Sequence, residues 1–375
     1  MRFAEDWIRC NQIGMDQETF HRIHLQLNGL SFPNKSMVSK SVYVDIPYEY
    51  SLREYVPRKI PVSDIDETPY YYDGDTILFL PSGKKVFNDR VIRVHTPISD
   101  QEKYSNGFTF PFLKTTTPFY ELRINPKNTG QCPGRCVFCH RETSYRQGSL
   151  NISPLIPVDT IIRSIIDQHG EDSLKLINHV SVITELFGCE DTFLDYIDEL
   201  KTKLFRYVGV DCSFRACALD VQTKSGLKRL KNLVDDNKYS FSLESFTNRE
   251  RIMSRYKGIP LENVENLLYN AREVGFDFIK LNYIAGIDSI EDFCYYIKKF
   301  KGNNLVDMLG LSVFTAFTKG QKKIRNPYAW SASYYDNLVS ALAEIGISIY
   351  EPHCFDMGFP EALINKCNIV YSINP

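Results

Sequence analysis

No apolar run in these 375 residues approaches the ~18 that a membrane-spanning helix requires. The opening stretch, MRFAEDWIRCNQIG, lacks the apolar centre of a secretory signal. A cytoplasmic chain is therefore expected, one whose thiols stay reduced. Charge of one sign is equally scarce: 44 Lys plus Arg stand against 46 Asp plus Glu, a net of −2. The chain as a whole has no electrostatic pull toward nucleic acid or an anionic membrane surface, so neither partner is favoured. Neither half carries an internal repeat or a low-complexity tract. With 43% hydrophobic and 24% charged residues, the composition suits one large or two modest globular domains.

What is present is a knot of cysteine. TGQCPGRCVFCHRE, residues 129–142, places Cys132, Cys136 and Cys139 on a Gly/Pro-bent stretch. A structural zinc site wants four ligands, usually as two separated C-x-x-C knuckles. A disulfide framework wants an even count and an oxidising compartment. Three close thiolates can instead hold three corners of a cubic iron–sulfur cluster and leave the fourth iron open.

The chain changes character near residue 116. Residues 1–115 are rich in Tyr, Pro and turn signals, and TILFLPSGKKVFNDRVIRVHTP reads as two short strands around a Pro-Ser-Gly turn. ISDQEKYSNGFTFPFLKTTTP, which follows, has the look of a connecting or covering segment. After residue 116, strand and helix patterns alternate. FYELRIN runs straight into the cysteine loop, and VDTIIRSIIDQHG then has helical spacing. The series HVSVITELFG, DTFLDYIDELKTKL, YVGVDCSFRACA, SGLKRLKNLVDD, YSFSLESF and LENVENLLYNAREVG continues through FDFIKLNYIAG, SIEDFCYYIKKF, MLGLSVFTAF and YYDNLVSALAEIG to ISIYEPHCF. Six strand–helix pairs and a seventh strand predict an α/β fold, either an open doubly wound sheet or a full or partial barrel. In both, chemistry belongs to loops at the carboxyl ends of the strands.

The cysteines lie on such a loop, after the first strand of the series. Their C-x3-C-x2-C spacing, with Phe138 before the last cysteine, resembles the signature of the radical S-adenosylmethionine (radical SAM) superfamily. The resemblance implies a partial (β/α)6 TIM-like barrel over 116–375, with 1–115 as an amino-terminal mixed, β-containing accessory region that covers the substrate. It implies a [4Fe–4S] cluster on Cys132, Cys136 and Cys139, binding the methionine amino and carboxylate groups through its open iron. One electron then breaks the carbon–sulfur bond, releasing methionine and a 5′-deoxyadenosyl radical that takes hydrogen from a substrate. A reductant of flavodoxin or ferredoxin type follows from that chemistry.

Further positions match the family's pattern. Gly188, Cys189 and Glu190 stand where it has Gly-Gly-Glu, and Glu190 would meet the methionine ammonium; otherwise it is a carboxylate favoured by a helix amino terminus. Ser242 and Glu244, on the polar face of YSFSLESF, would meet ribose hydroxyls. Arg255, followed by Lys257 and Gly258, would face the methionine carboxylate. Ile284 and Gly286 match the apolar G-x-I-x-G element near adenine, with Asn282 in place of its first glycine. Strand alternation puts Asp211, Ser213 and Arg215 on one face, with Lys280, Asn282, Glu351 and His353 on others. If these faces point inward, Arg215, Lys280 and His353 are the candidate catalytic residues of a polar lumen. Such a lining suits a small polar, amino-acid-like metabolite.

A peptide or protein substrate recognised by 1–115 is the second reading, and a non-catalytic cluster-binding scaffold the third. The seven other cysteines (10, 189, 212, 217, 294, 354 and 367) form no C-x-x-C pair, which disfavours a second-cluster domain. The absence of D-x-H-x-x-G disfavours a cobalamin methyltransferase.

Overall fold

The computed structural model describes residues 2–33, 41–47, 55–64, 66–74, 76–86, 94–95, 108–109, 120–124, 126, 136–139, 155–182, 187–209, 211–217, 219–235, 237–254, 257–350, 367 and 369–370. Two helices come first, α1 (Arg2–Gln12) and α2 (Gln17–Asn28), where the sequence reading had seen only turns and strands. Asp16 begins α2, its carboxylate accepting from the Thr19 amide at 2.8 Å and so satisfying a backbone donor that the helix leaves unpaired.

Two small antiparallel sheets follow. Strands β1 (Ser41–Pro47) and β2 (Tyr55–Pro61) pair along their whole length. Strand β3 (Tyr70–Tyr72) pairs with β4 (Ile77–Phe79), which in turn pairs with β5 (Lys84–Lys85). The β4–β5 hairpin is the Pro-Ser-Gly turn expected above, with Gly83 at φ +65° supplying its left-handed position. A short β6 (Val94–His95) joins β1 on its other edge.

The regular series begins with β8 (Tyr120–Ile124), preceded on its edge by the two-residue β7 (Phe108–Thr109). It continues α3 (Val158–His169), α4 (Glu171–Leu174), β9 (Ile177–Val182), α5 (Glu190–Leu204), β10 (Ser213–Ala216) and α6 (Lys224–Leu233). Next come β11 (Lys238–Glu244), α7 (Arg249–Ile252), α8 (Leu261–Glu273), β12 (Phe278–Ala285) and α9 (Ile290–Gly302). The series ends with β13 (Met308–Val313), α10 (Lys319–Lys322), α11 (Ala332–Ile345), β14 (Ser348–Tyr350) and β15 (Ile369–Val370). The expected strand–helix alternation is thus present throughout.

Strand order bears on the two α/β architectures. In a doubly wound sheet the first strand is interior, and the order reverses beside it. Here β8 pairs in parallel with β9, and β9 with β10, while the outer edge of β8 is taken by antiparallel β7. Strands β11, β12, β13 and β14 then pair in parallel in chain order. Among the described residues β10 and β11 do not pair, so the series forms two parallel sheets, each in chain order, an arrangement compatible with a partial barrel. One edge of each sheet ends in a two-residue strand, β7 beside β8 and β15 beside β14, which at those edges limits pairing with foreign chains.

Alternation sorts the side chains. Phe214, Tyr239, Phe241, Leu243, Ile279, Leu281, Tyr283, Leu309 and Leu311 point into one large core with the helices. Burying one such side chain contributes roughly 1.5–3 kcal/mol. The opposite face of each strand looks into the barrel.

The amino-terminal helices share that core, through Cys10, Phe20, Ile23 and Leu27. A buried carboxylate fixes them to the barrel's last helix. Asp6 accepts from His24 Nε2 at 2.7 Å, from the Ala332 amide at 2.7 Å and from the Ser333 hydroxyl. Burial alone would raise the Asp6 carboxyl, but the His24 and Ser333 hydrogen bonds bring it below its ordinary value. Among the described residues, no helix is long and apolar enough to cross a membrane.

Candidate active site at the carboxyl ends of the strands

Of the cysteine motif, Cys136 to Cys139 are described and Cys132 lies outside the described residues. The Cys139 amide turns back to the Cys136 carbonyl at 3.1 Å, which presents both thiols from one tight turn. Although the loop leaves β8, it rests on the far arc of the barrel. Cys136 and Phe138 pack with Ile252, Met253, Ile287 and Phe314, and Cys139 and Ile284 lie against them. Ile284 is thus brought to the cysteine loop.

Polar contacts fix the turn from two sides. The Val137 amide donates to the Ile252 carbonyl at 2.8 Å, and the Ser254 amide donates to the Cys136 sulfur at 3.3 Å. On the other side, Gln321 Nε2 donates to the Cys139 carbonyl at 3.0 Å. The Gln321 carbonyl oxygen takes the Phe317 amide at 2.8 Å and the Thr318 amide at 3.1 Å. Thr318 and Gln321 form a capping box. Sequence reasoning passed over Gln321, although the T-x-x-Q spacing was a readable signal.

Next to the thiols sits an ion pair. Lys257 Nζ bonds Glu244 Oε1 and lies over the Phe138 ring, 5.6 Å from its centroid. The two side chains are 15% and 12% exposed. Burial alone would depress the Lys257 ammonium, yet Glu244 together with the Cys136 and Cys139 sulfurs lifts it above the ordinary lysine range. Glu244 has φ +66°, an uncommon backbone for a non-glycine residue and a frequent companion of functional positions.

Arg255, the expected basic residue, lies outside the described residues. Lys257, two places on, is the cation found here. Its loop is held from beneath by Arg249, which donates to the carbonyls of Ser245 at 2.6 Å, Ile259 at 3.0 Å and Lys257 at 3.3 Å. Burial pulls the Arg249 pKa down to about 10. Asp288 ties the ends of β11 and β12 together, accepting from the Ser245 hydroxyl, the Phe246 amide and the Tyr283 hydroxyl at 2.6, 2.8 and 3.1 Å.

Below the mouth the lumen is polar in layers. Register sets Ser240 beside Lys280, and Lys280 beside Met308; one step higher, Ser242, Asn282 and Gly310 align. A Cβ at Gly310 would stand 2.6 Å from Asn282 Oδ1. The glycine therefore makes room for the asparagine that replaces the family's glycine on β12. Ser242 is on the lumen face, as expected, and so is Arg215. Across the barrel, His179 Nδ1 meets Ser213 Oγ at 2.5 Å, His179 Nε2 meets Ser181 Oγ at 3.0 Å, and Arg215 Nη2 donates to Ser181 Oγ at 3.1 Å. His179 had been read only as the start of a strand. Asp211 precedes β10 and is exposed, so it is not part of this chain of contacts. Glu351 and His353 lie outside the described residues.

Glu190 sits differently from the family's pattern. Its carboxylate accepts from the Gln222 amide at 2.7 Å, the Thr223 amide at 2.9 Å and the Thr223 hydroxyl at 2.5 Å. It lies against Gly226, where a Cβ would be 2.2 Å from Oε1. In this position it caps the start of α6. Gly188, at φ +86°, turns its amide to Asp220 at 2.8 Å. We expect Glu190→Gln to lower folding stability by about 1 kcal/mol, read as a reduced denaturant midpoint. Unchanged stability with a tenfold or larger loss of S-adenosylmethionine affinity would restore the ligand-binding role.

The Radical SAM superfamily profile matches residues 129–299, from the cysteine loop to the end of α9. Over this stretch, somewhat less than half of the chain, the sequence is similar to the radical SAM superfamily. That match implies a [4Fe–4S] cluster and S-adenosylmethionine as cofactors. The residues present fit them: two reduced thiols on one turn, an amide aimed at the Cys136 sulfur, and a cation near both sulfurs.

Solved radical SAM folds are similar at low identity. The FeFe-hydrogenase maturase HydG from Carboxydothermus hydrogenoformans is 14% identical with TM-score 0.47, covering 67% of this chain and 57% of that one. Methylornithine synthase (PylB) is 14% identical with TM-score 0.45, covering 73% and 74%. Coproporphyrinogen III oxidase (HemN) from Escherichia coli is 15% identical with TM-score 0.43, covering 66% and 61%. The chain thus spans little more than half the length of the maturase. No curated protein sequence matches it.

Proposed function

We propose that this radical SAM enzyme acts on a small polar metabolite, bound in the barrel beneath the cysteine loop and carrying acceptor groups such as a carboxylate. The observation that supports this reading is the layered polar lumen. Lys280, Arg215, His179, Asn282 and four serines line the inner face, while the helix-facing side of the same strands is apolar throughout. Buried polar groups cost free energy unless they are bonded, so a ligand rich in donors and acceptors fits and a lipid does not.

When bound, a [4Fe–4S] cluster with S-adenosylmethionine would supply the one-electron chemistry for hydrogen abstraction. The chain's own residues do the rest. Cys132, Cys136 and Cys139 would hold the cluster's iron, and the Ser254 amide would steady the Cys136 sulfur. Ser242 and the Glu244–Lys257 pair offer hydrogen bonds at the mouth, with Arg255 in the same loop as a carboxylate partner. Ile284 and Phe138 give apolar contact. Arg215 and Lys280, with His353, orient the substrate. Thiolate ligands need a reducing setting, which agrees with a cytoplasmic enzyme.

The test is anaerobic cluster reconstitution followed by dithionite and S-adenosylmethionine. We expect 5′-deoxyadenosine, formed faster when amino acids or other small carboxylates that fill the lumen are added. Arg215→Gln should remove that stimulation. No 5′-deoxyadenosine from cluster-loaded protein would sink the enzymatic reading. Stimulation by peptides alone would move the substrate class to peptide.

A further inference from the structure

Among the described residues, three buried side-chain polar atoms have no hydrogen-bond partner: Arg22 Nε, Ser254 Oγ and Thr315 Oγ1. Two of the three border the cysteine turn. The Ser254 amide donates to the Cys136 sulfur at 3.3 Å. Thr315 stands between Phe314 and Ala316, which share an apolar cluster with Cys136. A buried hydroxyl without a partner costs free energy, so each such group calls for an explanation.

The backbone of Ser254 is engaged on both sides while its hydroxyl is left over. Its carbonyl accepts from the Lys257 amide at 3.0 Å and the Gly258 amide at 2.7 Å, and its amide is spent on Cys136. Gly258 lets the loop close this tightly, since a Cβ there would stand 3.1 Å from the Ser254 carbonyl oxygen and 3.0 Å from that of Arg249. The neighbouring side chains in the cluster, Ile252, Met253 and Ile287, are apolar and offer no oxygen or nitrogen acceptor. The Cys136 sulfur is the acceptor already at this residue. A thiol accepts weakly, whereas a thiolate on iron carries charge and draws a stronger hydrogen bond.

We propose that the Ser254 hydroxyl is a tuning group for the iron–sulfur site, donating to a ligand sulfur once iron is bound and so raising the reduction potential. The proposal rests on the radical SAM reading of the cysteine loop. Uptake of one electron adds negative charge that is shared between iron and sulfur. A donor aimed at sulfur therefore stabilises the reduced form more than the oxidised form. Ser254 touches no substrate in this role and acts through the Cys136 ligand, which makes it a positioning residue. It is chosen over Thr315 because its own amide already reaches that ligand.

The test uses Ser254→Ala and Ser254→Thr in the full chain. A redox titration of the cluster-loaded proteins, followed by electron paramagnetic resonance without S-adenosylmethionine, reads the potential directly. In Ser254→Ala the ratio of reduced to oxidised cluster at one fixed potential should fall about threefold or more, roughly 30 mV for one electron. Ser254→Thr keeps a hydroxyl and should hold the unsubstituted value. Before iron is loaded, Ser254→Ala should leave the denaturant midpoint unchanged or raise it, because the hydroxyl removed had no partner. An unchanged potential in Ser254→Ala would overturn the proposal. So would a shift in Ser254→Thr as large as that in Ser254→Ala, or a lowered midpoint of metal-free Ser254→Ala, which would mark the hydroxyl as a support of the fold. If the unsubstituted protein takes up no cluster, the radical SAM reading fails and this proposal with it. If it takes up the cluster and cleaves S-adenosylmethionine while the Ser254→Ala potential is unmoved, this proposal alone fails.

Discussion

Cys136→Ala and Cys139→Ala are each expected to abolish the broad visible absorbance of the reconstituted protein and 5′-deoxyadenosine formation together. The effect should be all or nothing, because three thiolates leave no spare ligand. Among the described residues no cluster of three His, Cys, Asp or Glu side chains stands ready to replace them. The folded chain itself should survive. Each side chain is small, and the turn is also held by the Val137, Ser254 and Gln321 contacts, so circular dichroism should change little. Retention of about four irons per chain by a Cys132, Cys136 and Cys139 triple alanine variant would show that the cluster sits elsewhere.

Lys257→Met should be the most destabilising single change near the mouth. Glu244 would be left largely buried beside the thiolates without its cation, and breaking such a pair costs about 3–5 kcal/mol. Methionine keeps much of the lysine stem's packing over Phe138, so the loss reports charge. Adding Glu244→Gln should recover a large part of it, since the orphaned charge is then removed. Denaturant midpoints of the two single variants and the double variant give the coupling directly. Additive losses would mean that Glu244 and Lys257 act independently, contrary to the geometry.

Legibility followed period and spacing. The strand–helix series from β8 to β14 was readable because each strand keeps one apolar face against helices, as Tyr239, Phe241 and Leu243 do. Ser240, Ser242 and Glu244 alternate with them toward the lumen. The cysteine loop was readable because few chemistries use that spacing. Barrel closure order was not, since pairing between strands leaves no trace in a single chain's periodicity. Helices α1 and α2 were missed because their apolar positions are interrupted by histidines and asparagine, whose partners, such as Asp6 for His24, are distant in sequence. Glu190 was ambiguous for a related reason: a carboxylate at a loop end fits a ligand ammonium and a helix amino terminus equally well on paper. Only the position of residues 222–226 separates them. Lys257 was overlooked in favour of Arg255 because both precede the same glycine.

The Asp6 contact also bears on how the chain is made. Its two amide and hydroxyl donors at Ala332 and Ser333 lie 326 and 327 residues downstream. At ~5–20 residues per second, a ribosome needs on the order of tens of seconds to deliver them after α1 has emerged. Until then Phe3 has no Trp330 to pack against and α1 has no α11, and the carboxylate has only His24. Helix α1 is therefore made long before the partners it finally keeps, and the Asp6 contact joins segments 326 residues apart.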